Sequence, residues 1–288
     1  MWHTEEASVI GRGHLSRSLP CQDRTFSLRE NGVTALALAD GAGSVRFSQE
    51  GADLAVRTVC QTLCDQFDFL IGRASPLMAR QALLKPVLEQ ILHRSAQLEA
   101  ASRELACTLL AVAVRGDQYL LFHVGDGVIA YRKNGRLNVA SAPVNGEFTN
   151  TTTFVTSRDA LVKSKVIKGS SAQMEGFLLM CDGCEPALYD KPRRKLAPLA
   201  DLLLERAELL ASSVSEDQLR TVLAGPIAHR TQDDCSMAFL TRSAGRFGRW
   251  DRMTPREKAA VLGITTRNPN RRRHQIRRYA AAYGVRTA

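Results

Sequence analysis

Three apolar runs of this chain each lead into an aspartate that is followed by glycine. The runs cover residues 34–39, 119–124 and 177–181, and the aspartates that follow are Asp40, Asp126 and Asp182. A fourth acidic pair, Asp233-Asp234, directly precedes the apolar run 236–241. A carboxylate beside a buried strand end is costly in free energy unless a cation is bound there. The pattern therefore favours a cation site where these strand ends meet.

The types of ligand indicate which cation such a site would take. Several carboxylates, without His or Cys pairs beside them, favour Mg²⁺ or Mn²⁺ over zinc. Two such ions about 3.5–4 Å apart are a common apparatus for hydrolysing a phosphoester. The competing interpretation is that Asp-Gly is simply a common turn dipeptide. That interpretation explains one occurrence well and three occurrences less well.

Short runs rich in Val, Leu and Thr predict strands. The stronger runs are Thr34 to Ala39, Cys107 to Val114, Tyr119 to Val124, Phe177 to Cys181 and Ser236 to Thr241. Weaker strands are predicted at Val128 to Arg132, Leu137 to Ala142 and Thr152 to Thr156. Turns at Gly116-Asp117 and Asn134-Gly135 join neighbouring strands into hairpins, so we expect a β-meander in the middle of the chain.

Helical spacing of apolar residues predicts four helices outside the C-terminal segment. They cover Ser48 to Ile71, Leu77 to Leu98, Leu196 to Ala211 and Glu216 to Ala224. Ser48 is placed to cap the first helix, and Pro86 should either kink the second or mark its start. Separate helices and antiparallel strands predict an α+β domain, a two-layered sheet with helices packed outside.

The formal charge of +10 is concentrated at one end of the chain. Residues 242–288 hold thirteen Lys and Arg against two acidic residues, a net +11, which leaves −1 for the remainder. We therefore divide the chain into a domain over residues 1–242 and a basic, helical extension over residues 243–288. Thr254-Pro255 predicts a capped helix start in that extension. The extension either contacts an acidic partner protein or nucleic acid, or packs on the domain as a solvated basic segment.

Seven cysteines, an odd number, are scattered inside or beside apolar runs. This arrangement is typical of reduced thiols in a cytoplasmic protein rather than of a disulfide framework. Cys181 and Cys184 have redox or zinc spacing but no second Cys pair with that spacing and no His partner, so we interpret them as structural. Because the chain has no apolar run of about 18 residues, we expect no membrane span.

An ordered set of six motifs resembles the metal-dependent protein phosphatases of type 2C, and most closely their compact bacterial branch. The resemblance covers roughly residues 8–241, and its motifs are Gly11 to Leu15, Pro20 to Arg24, Ala39 to Gly43, Val124 to Asp126, Cys181 to Gly183 and Asp233 to Ser236. It implies a central antiparallel β-sandwich flanked by helices. It also implies a dinuclear Mn²⁺ or Mg²⁺ centre that hydrolyses phosphoserine and phosphothreonine by direct attack of water.

The resemblance also implies roles for individual residues. Asp40 would bridge both ions, the Gly41 carbonyl would bind one ion, and Asp182 and Asp234 would hold the other. Asp23 would lie behind these ligands and orient metal-bound waters.

Asp126 matches the motif that in this family helps to bind a third, looser ion. Ser18 stands where the family usually has its phosphate-binding arginine, so we expect Arg17 or Arg12 in that role, with Arg24 as a rival.

Two further positions depart from the family pattern. Ala42 replaces a histidine that acts as general acid in some members, so water or another side chain would protonate the leaving group. His14 and His123 are the candidate side chains, although a lone histidine is more often structural. Pro186 stands where a further acidic residue is common, and Glu185 is placed to compensate.

Two functions follow from these patterns. The first is a cytoplasmic serine/threonine phosphatase that acts on a phosphoprotein and opposes a protein kinase. The second is a catalytically weak phosphatase fold that serves as a regulatory or binding module through its basic extension.

Overall fold

The structure, a computed structural model, describes residues 1–143, 152–210, 212–242 and 249–285. Within these residues the strands form two five-stranded sheets and one two-stranded ribbon. The strands are β1 (Trp2–Val9), β2 (Arg24–Glu30), β3 (Val33–Ala39), β4 (Leu109–Arg115), β5 (Gln118–Val124), β6 (Val128–Lys133), β7 (Arg136–Ser141), β8 (Lys165–Ser170), β9 (Met174–Met180), β10 (Tyr189–Asp190), β11 (Lys195–Leu196) and β12 (Cys235–Arg242).

The first sheet has the order β1-β12-β9-β6-β7 and the second β2-β3-β4-β5-β8, with antiparallel neighbours throughout. The predicted hairpins β4-β5 and β6-β7 are confirmed, and their turns use the positive φ angles of Gly116 (+57°), Asn134 (+52°) and Gly135 (+71°). The predicted continuous meander is wrong, because β5 and β6 lie in different sheets.

Ten α-helices are found in the part of the chain that the structure describes. They are α1 (Arg12–Ser16), α2 (Ser48–Asp68), α3 (Pro76–Gln97), α4 (Ala160–Lys163), α5 (Glu185–Leu188), α6 (Pro198–Leu209), α7 (Ser212–Val222), α8 (Arg249–Arg252), α9 (Pro255–Val261) and α10 (Pro269–Ala282). A π-helical turn at Phe69–Arg73 extends α2, and another at Leu223–Ile227 follows α7. Among these described residues, no helix is long and apolar enough to cross a membrane.

Strand β3 shows how the layers are built. Alternate side chains of a strand point to opposite faces of the sheet. Leu36 and Leu38 lie in the core cluster between the two sheets, whereas Ala35, Ala37 and Ala39 lie in the cluster that α2 and α3 cover. The small alanines let the helices approach the sheet closely.

The outer face of the first sheet is covered in the same way by α6 and α7. Leu203, Leu204 and Leu219 of these helices belong to the same cluster as Leu178 of β9 and its register partner Phe239 of β12. The predicted α+β fold, an antiparallel sandwich flanked by helices, is confirmed.

The sequence patterns missed β1, β2 and β8, and all three are edge strands. The edge strand β1 mixes polar residues, such as Glu5 and Glu6, with its apolar residues, so its apolar period is weak. The strand expected at Thr152 to Thr156 is absent, and these described residues form irregular backbone and turns. There the Phe154 amide donates to the Ser157 hydroxyl, a local bond in place of a strand ladder.

Two details of the helix predictions are also corrected. Ser48 is the first residue of α2 and not its cap, since the N-cap is Phe47, without a side-chain capping bond. Pro86 lies inside α3, which begins at Pro76 behind a Ser75 cap, so Pro86 does not mark the start of that helix. In the C-terminal segment, Thr254 and Glu257 form a capping box at the start of α9.

The C-terminal helices rest on α6. Leu209 and Leu210 form a small core cluster with Trp250, Val261 and Leu262. Arg206 of α6 donates hydrogen bonds to the carbonyls of Val261 (3.1 Å) and Ala260 (3.1 Å).

A buried arginine joins the first sheet to α6. The Arg132 guanidinium lies 3.2 Å from Glu175, 3.5 Å from Asp201 and 3.7 Å from Glu205. Burial, together with the charge of Glu175, raises the pKa of Glu208 to about 8 despite the opposing effect of Arg132. Burial likewise raises the pKa of Glu205 to about 7. The cluster holds more carboxylates than one guanidinium neutralises.

We predict that Glu208→Gln makes the protein more tolerant of alkaline pH. The raised pKa of Glu208 means that the folded state holds a proton which the unfolded state releases above its ordinary pKa of 4.5. The stabilisation is therefore complete below pH 4.5 and is lost as pH rises towards 8, by up to about 1.4 kcal/mol per pH unit. Denaturant unfolding at pH 5 to 9 should show the stability difference between variant and wild type growing with pH. The exposed control Glu89→Gln should show a constant difference.

Candidate metal centre

The sandwich brings its strand-end carboxylates together at one end. Asp40 follows β3, Asp182 follows β9, and Asp23 directly precedes β2. Carboxylate oxygens of Asp23 and Asp40 and the Cys181 sulfur all lie within 4.8 Å of one another. The charge of Asp182 acts on Asp40, so the two carboxyl groups lie near each other. The strand ends thus converge as the sequence pattern predicts.

The grouping of these acids raises their pKa values. Burial, followed by the charges of Asp23 and Asp182, raises the pKa of Asp40 well above its ordinary value. Burial and the charge of Asp234 raise the pKa of Asp23 to about 7. Burial and the charges of Asp126 and Asp233 raise the pKa of Asp182. The cluster is an arrangement of like charges that a cation would stabilise.

The donor set fits a hard divalent cation. Oδ2 of Asp23 and Oδ1 of Asp182 are buried and have no hydrogen-bond partner among the described residues. Buried carboxylate oxygens without protein partners are the ligands that Mg²⁺ and Mn²⁺ prefer. The Cys181 sulfur, by contrast, accepts a bond from the Ser236 amide at 3.1 Å. Burial also raises the pKa of the Cys181 thiol, so it remains protonated and structural.

Asp234 is occupied by the backbone around it. Its Oδ1 accepts a bond from the Gly11 amide (2.6 Å), and its Oδ2 accepts one from the Gln22 amide (2.6 Å). Nδ1 of the buried His14 lies 2.9 Å from the same Oδ1. The carboxylate therefore ties the loops before and after α1 to the start of β12. This environment favours a structural role for Asp234 over the metal-ligand role that the resemblance implies.

The neighbouring Asp233 is the residue that sequence reasoning passed over. It is exposed, its charge acts on Asp182, and its Oδ1 accepts a bond from the Asp234 amide at 2.9 Å. Its presence in the motif Asp233-Asp234 was visible in the sequence. The motif alone does not indicate which of the two aspartates is a metal ligand.

Glycines allow these loops to meet. A Cβ added at Gly183 would lie 1.9 Å from the Asp234 carbonyl oxygen, and one at Gly11 would lie 2.3 Å from the Asp233 carbonyl carbon. At Gly41 it would lie 2.8 Å from the Gln22 carbonyl oxygen. The glycine after each aspartate is therefore required by close backbone packing.

The three candidate phosphate-binding arginines bond to backbone carbonyls. Arg12 donates to His229 (3.2 Å) and Thr231 (3.0 Å), on the segment that leads to Asp233. Arg17 donates to Gly13 at 3.0 Å. Arg24 donates to Cys21 and Asp23, each at 2.7 Å. Arg12 and Arg17 are exposed, and their phosphate-binding role stays a prediction.

A second acidic group adjoins the cluster. Asp126 accepts a hydrogen bond from the Thr152 hydroxyl, and its charge acts on Asp182 and on Glu185. Glu185 is buried and lies 2.5 Å from Nζ of Lys191. Glu185 therefore places an acidic side chain beside Asp182, as the sequence suggested for the position next to Pro186.

His123 is excluded as the substitute general acid. Its Nδ1 lies 2.6 Å from the Ser141 hydroxyl, and its Nε2 lies 3.1 Å from the Gly125 carbonyl. Burial, with the positive charge of Lys165, lowers the pKa of His123 to about 3. The ring is a neutral structural link between β5, β7 and the Asp126 turn. His14 lies nearer the cluster, with its Nε2 3.9 Å from where a Cβ on Gly43 would be.

The fold and this acidic cluster define a class of α+β sandwich proteins with a cation site at the strand ends. Residues 10–224 match the family described as protein phosphatase 2C. This chain belongs to the protein phosphatase 2C family, as the sequence motifs predicted.

A curated relative supports the same family. Serine/threonine-protein phosphatase 3 of Escherichia coli (strain K12) is 29% identical over 165 residues, which are 56% of this chain and 65% of the relative. The match thus spans just under two thirds of that protein's length.

Solved structures share the fold. A bacterial serine phosphatase is 14% identical, with a TM-score of 0.59 over 84% of this chain and 98% of that one. The serine/threonine phosphatase of S. agalactiae is 16% identical, with a TM-score of 0.56 over 84% of this chain and 99% of that one.

We predict that Mn²⁺ or Mg²⁺ raises the thermal unfolding temperature of this protein, because either ion relieves the repulsion among Asp23, Asp40 and Asp182. Differential scanning fluorimetry with metal and with chelator measures this shift. The variant Asp182→Asn should lose most of it, whereas the exposed control Asp65→Asn should keep it. A shift that survives in Asp182→Asn would place the cation elsewhere.

We predict that substitutions of the two adjacent aspartates, Asp233 and Asp234, affect different properties of the protein. Asp234→Asn replaces an acceptor of two backbone amides and should cost about 1–3 kcal/mol of the free energy of unfolding. Asp233→Asn should change that free energy by less than about 0.5 kcal/mol but weaken Mn²⁺ binding by about tenfold or more. Denaturant unfolding and titration calorimetry give the two readouts. The reverse pattern would restore Asp234 as the metal ligand.

Proposed function

We propose that this protein is a metal-dependent phosphoserine/phosphothreonine protein phosphatase that opposes a protein kinase. The observation that carries the proposal is the cluster of Asp23, Asp40 and Asp182, whose raised pKa values and unpartnered oxygens fit divalent cations. Family membership supplies the reaction type, and the relatives named above are serine or serine/threonine phosphatases.

In this proposal Asp40, the Gly41 carbonyl and Asp182 hold two Mn²⁺ or Mg²⁺ ions, and Asp233 takes the place first assigned to Asp234. Asp126 and Glu185 would serve a third, weaker site. When bound, such ions polarise the phosphoryl oxygens and lower the pKa of water. The chain's own contribution is a rigid set of carboxylates, fixed by β3, β9 and β12.

Asp23 is the group best placed to position a reacting water in this proposal. It is buried, it lies beside Asp40, and its Oδ2 lacks a protein partner among the described residues. Burial and the charge of Asp234 raise its pKa to about 7, and a bound cation would lower that pKa and favour the carboxylate form, which accepts a hydrogen bond from water. Arg12 or Arg17 would bind the phosphoryl group, each by leaving its backbone carbonyl.

The alternative is a phosphatase fold that regulates by binding, with weak or no catalysis. The replacement of the arginine by Ser18 and of the histidine by Ala42 favours this alternative. Retention of the carboxylate cluster favours the enzyme. The two functions differ in whether metal binding is accompanied by turnover.

We predict that the purified protein hydrolyses a phosphothreonine peptide with Mn²⁺ or Mg²⁺ and loses this activity in chelator. Asp40→Asn and Asp182→Asn should each lower turnover by about 10²-fold or more, with folding checked by circular dichroism. The exposed control Asp65→Asn should retain full activity. Metal binding without turnover in the wild type would instead establish the regulatory module.

The basic extension supplies a second proposal, separate from catalysis. Tyr279 and Tyr283 of α10 stack with ring centroids 5.4 Å apart and pack on the cluster beneath α6, which leaves Arg271, Arg273, Arg277 and Arg278 exposed. We infer that this surface docks an acidic protein or nucleic acid, with residues 243–288 as an appendage to the domain over residues 1–242. The free thiols of all seven cysteines support our proposal of a cytoplasmic location.

A further inference from the structure

A groove of about 400 Å³ lies beside the acidic cluster. One wall is the end of β7 and the start of β8, and the other is the β10-β11 ribbon. We name it the basic groove, and its lining residues that matter here are Ser141, Lys165, Tyr189, Lys191 and Arg194. None of these residues has a role in the proposed hydrolysis, so the groove calls for an explanation of its own.

The groove is positively charged where the adjoining cluster is negative. Lys165 donates only to the Ala142 carbonyl (2.7 Å), and neither Lys165 nor Arg194 pairs with a carboxylate among the residues that the structure describes. Burial is the main cause that lowers the pKa of Lys165, and the nearby charge of Arg194 lowers it further, so the two cations repel each other. An anion bound between them would remove that repulsion.

The neighbouring Arg193 shows the contrast. Its guanidinium lies 3.1 Å from Oδ2 of Asp190, and its amide donates to Oδ1 of the same residue at 3.1 Å. Arg193 is thus neutralised on the far side of the ribbon and does not line the groove. Of these two consecutive arginines, Arg193 therefore pairs with a carboxylate and Arg194 lines the groove.

The backbone holds this arrangement in place. Arg194 has a φ of +51°, and its amide donates to the Lys191 carbonyl at 3.2 Å, which closes a tight turn. Below the turn, Tyr189 pairs with Leu196 and Asp190 with Lys195. The groove cations therefore project from a closed turn and from the strand β8.

Two contacts connect the groove directly to the cation site. Lys191 reaches from the groove to Glu185, at 2.5 Å, and the charges of Asp126 and Asp182 act on it. His123 bonds on one side to Ser141, which lines the groove, and on the other to Gly125, which precedes Asp126. A peptide whose phosphoryl group lies at the carboxylate cluster would therefore pass its flanking residues over the groove.

We propose that the basic groove binds an anionic side chain of the substrate, so that the enzyme prefers phosphorylated residues with acidic or further phosphorylated neighbours. The proposal rests on the proposed phosphatase function. Lys165 and Arg194 are the specificity-determining residues, and the bound group is a carboxylate or a second phosphoryl group on the same peptide.

The test compares phosphothreonine peptides whose flanking residues are aspartate, serine or lysine, with a doubly phosphorylated peptide to separate the two anionic sources. For the wild type, kcat/KM should be about three- to tenfold higher for the aspartate peptide than for the serine peptide. The preference should shrink as salt is raised. Equal kcat/KM for the aspartate, serine and lysine peptides would overturn the proposal.

Variants of Arg194 test whether the groove causes the preference for the aspartate peptide. Arg194→Glu should abolish or reverse the preference for the aspartate peptide, while activity towards p-nitrophenyl phosphate is unchanged. Because Arg194 has a positive φ, Arg194→Asn provides a second variant that tolerates this backbone and should also lose the preference. Arg193→Glu, on the same turn, is the matched control and should keep it. Loss of the preference in Arg193→Glu alone would overturn the assignment.

A binding measurement separates this inference from the phosphatase function. In chelator, where no turnover is expected, fluorescence anisotropy of a labelled aspartate-rich phosphopeptide should show weaker binding to Arg194→Asn than to wild type. If the wild type lacks activity but this difference is found, the proposed phosphatase function is wrong, and the proposal that the groove binds anionic side chains is retained. If the wild type is active and the binding difference is absent, the groove assignment is wrong.

Discussion

The mutual repulsion of buried carboxylates is the constraint on which this site depends. Asp40 and Asp182 follow strands that are fully buried, whereas Asp23 precedes the partly exposed β2, and burial is the largest cause that raises the pKa of each aspartate. The charges of Asp23 and Asp182 add to the effect on Asp40. Burial and the neighbouring acids raise the pKa values of Asp40 and Asp182, so their charged forms are costly. The hydrophobic packing of the sandwich keeps them together in spite of this cost. The carboxylates that we propose as metal ligands are therefore also a source of instability.

The packing that opposes this repulsion comes from alternation along the strands. In β3, leucines fill the space between the sheets and alanines contact α2 and α3. Because both faces are buried, the strand has no freedom to slip by one residue, which would exchange the large and small side chains. The position of Asp40 at the strand end is fixed by that register. The rigidity of the site is thus a property of the core.

Close backbone contacts complete the site. Gly183 and Gly11 let the Asp233-Asp234 segment approach within a distance that any side chain would prevent. Asp234 then joins the loops around α1 through the amides of Gly11 and Gln22. The sign of the charge changes next to the site. Acidic residues gather at the strand ends, and the ribbon beside them presents Lys191 and Arg194.

The sequence by itself determined the family, the α+β class and the central strands, and it predicted that Asp40 and Asp182 meet. Those signals are local, because a buried strand that ends in Asp-Gly is visible in seven or eight consecutive residues. Tertiary structure decided the edge strands β1, β2 and β8, whose polar residues leave little apolar period in the sequence. It also placed the Asp234 carboxylate on the amides of Gly11 and Gln22, which belong to residues more than two hundred positions away. The basic groove has the same origin, because Lys165 and Arg194 become neighbours only when the ribbon packs beside β8.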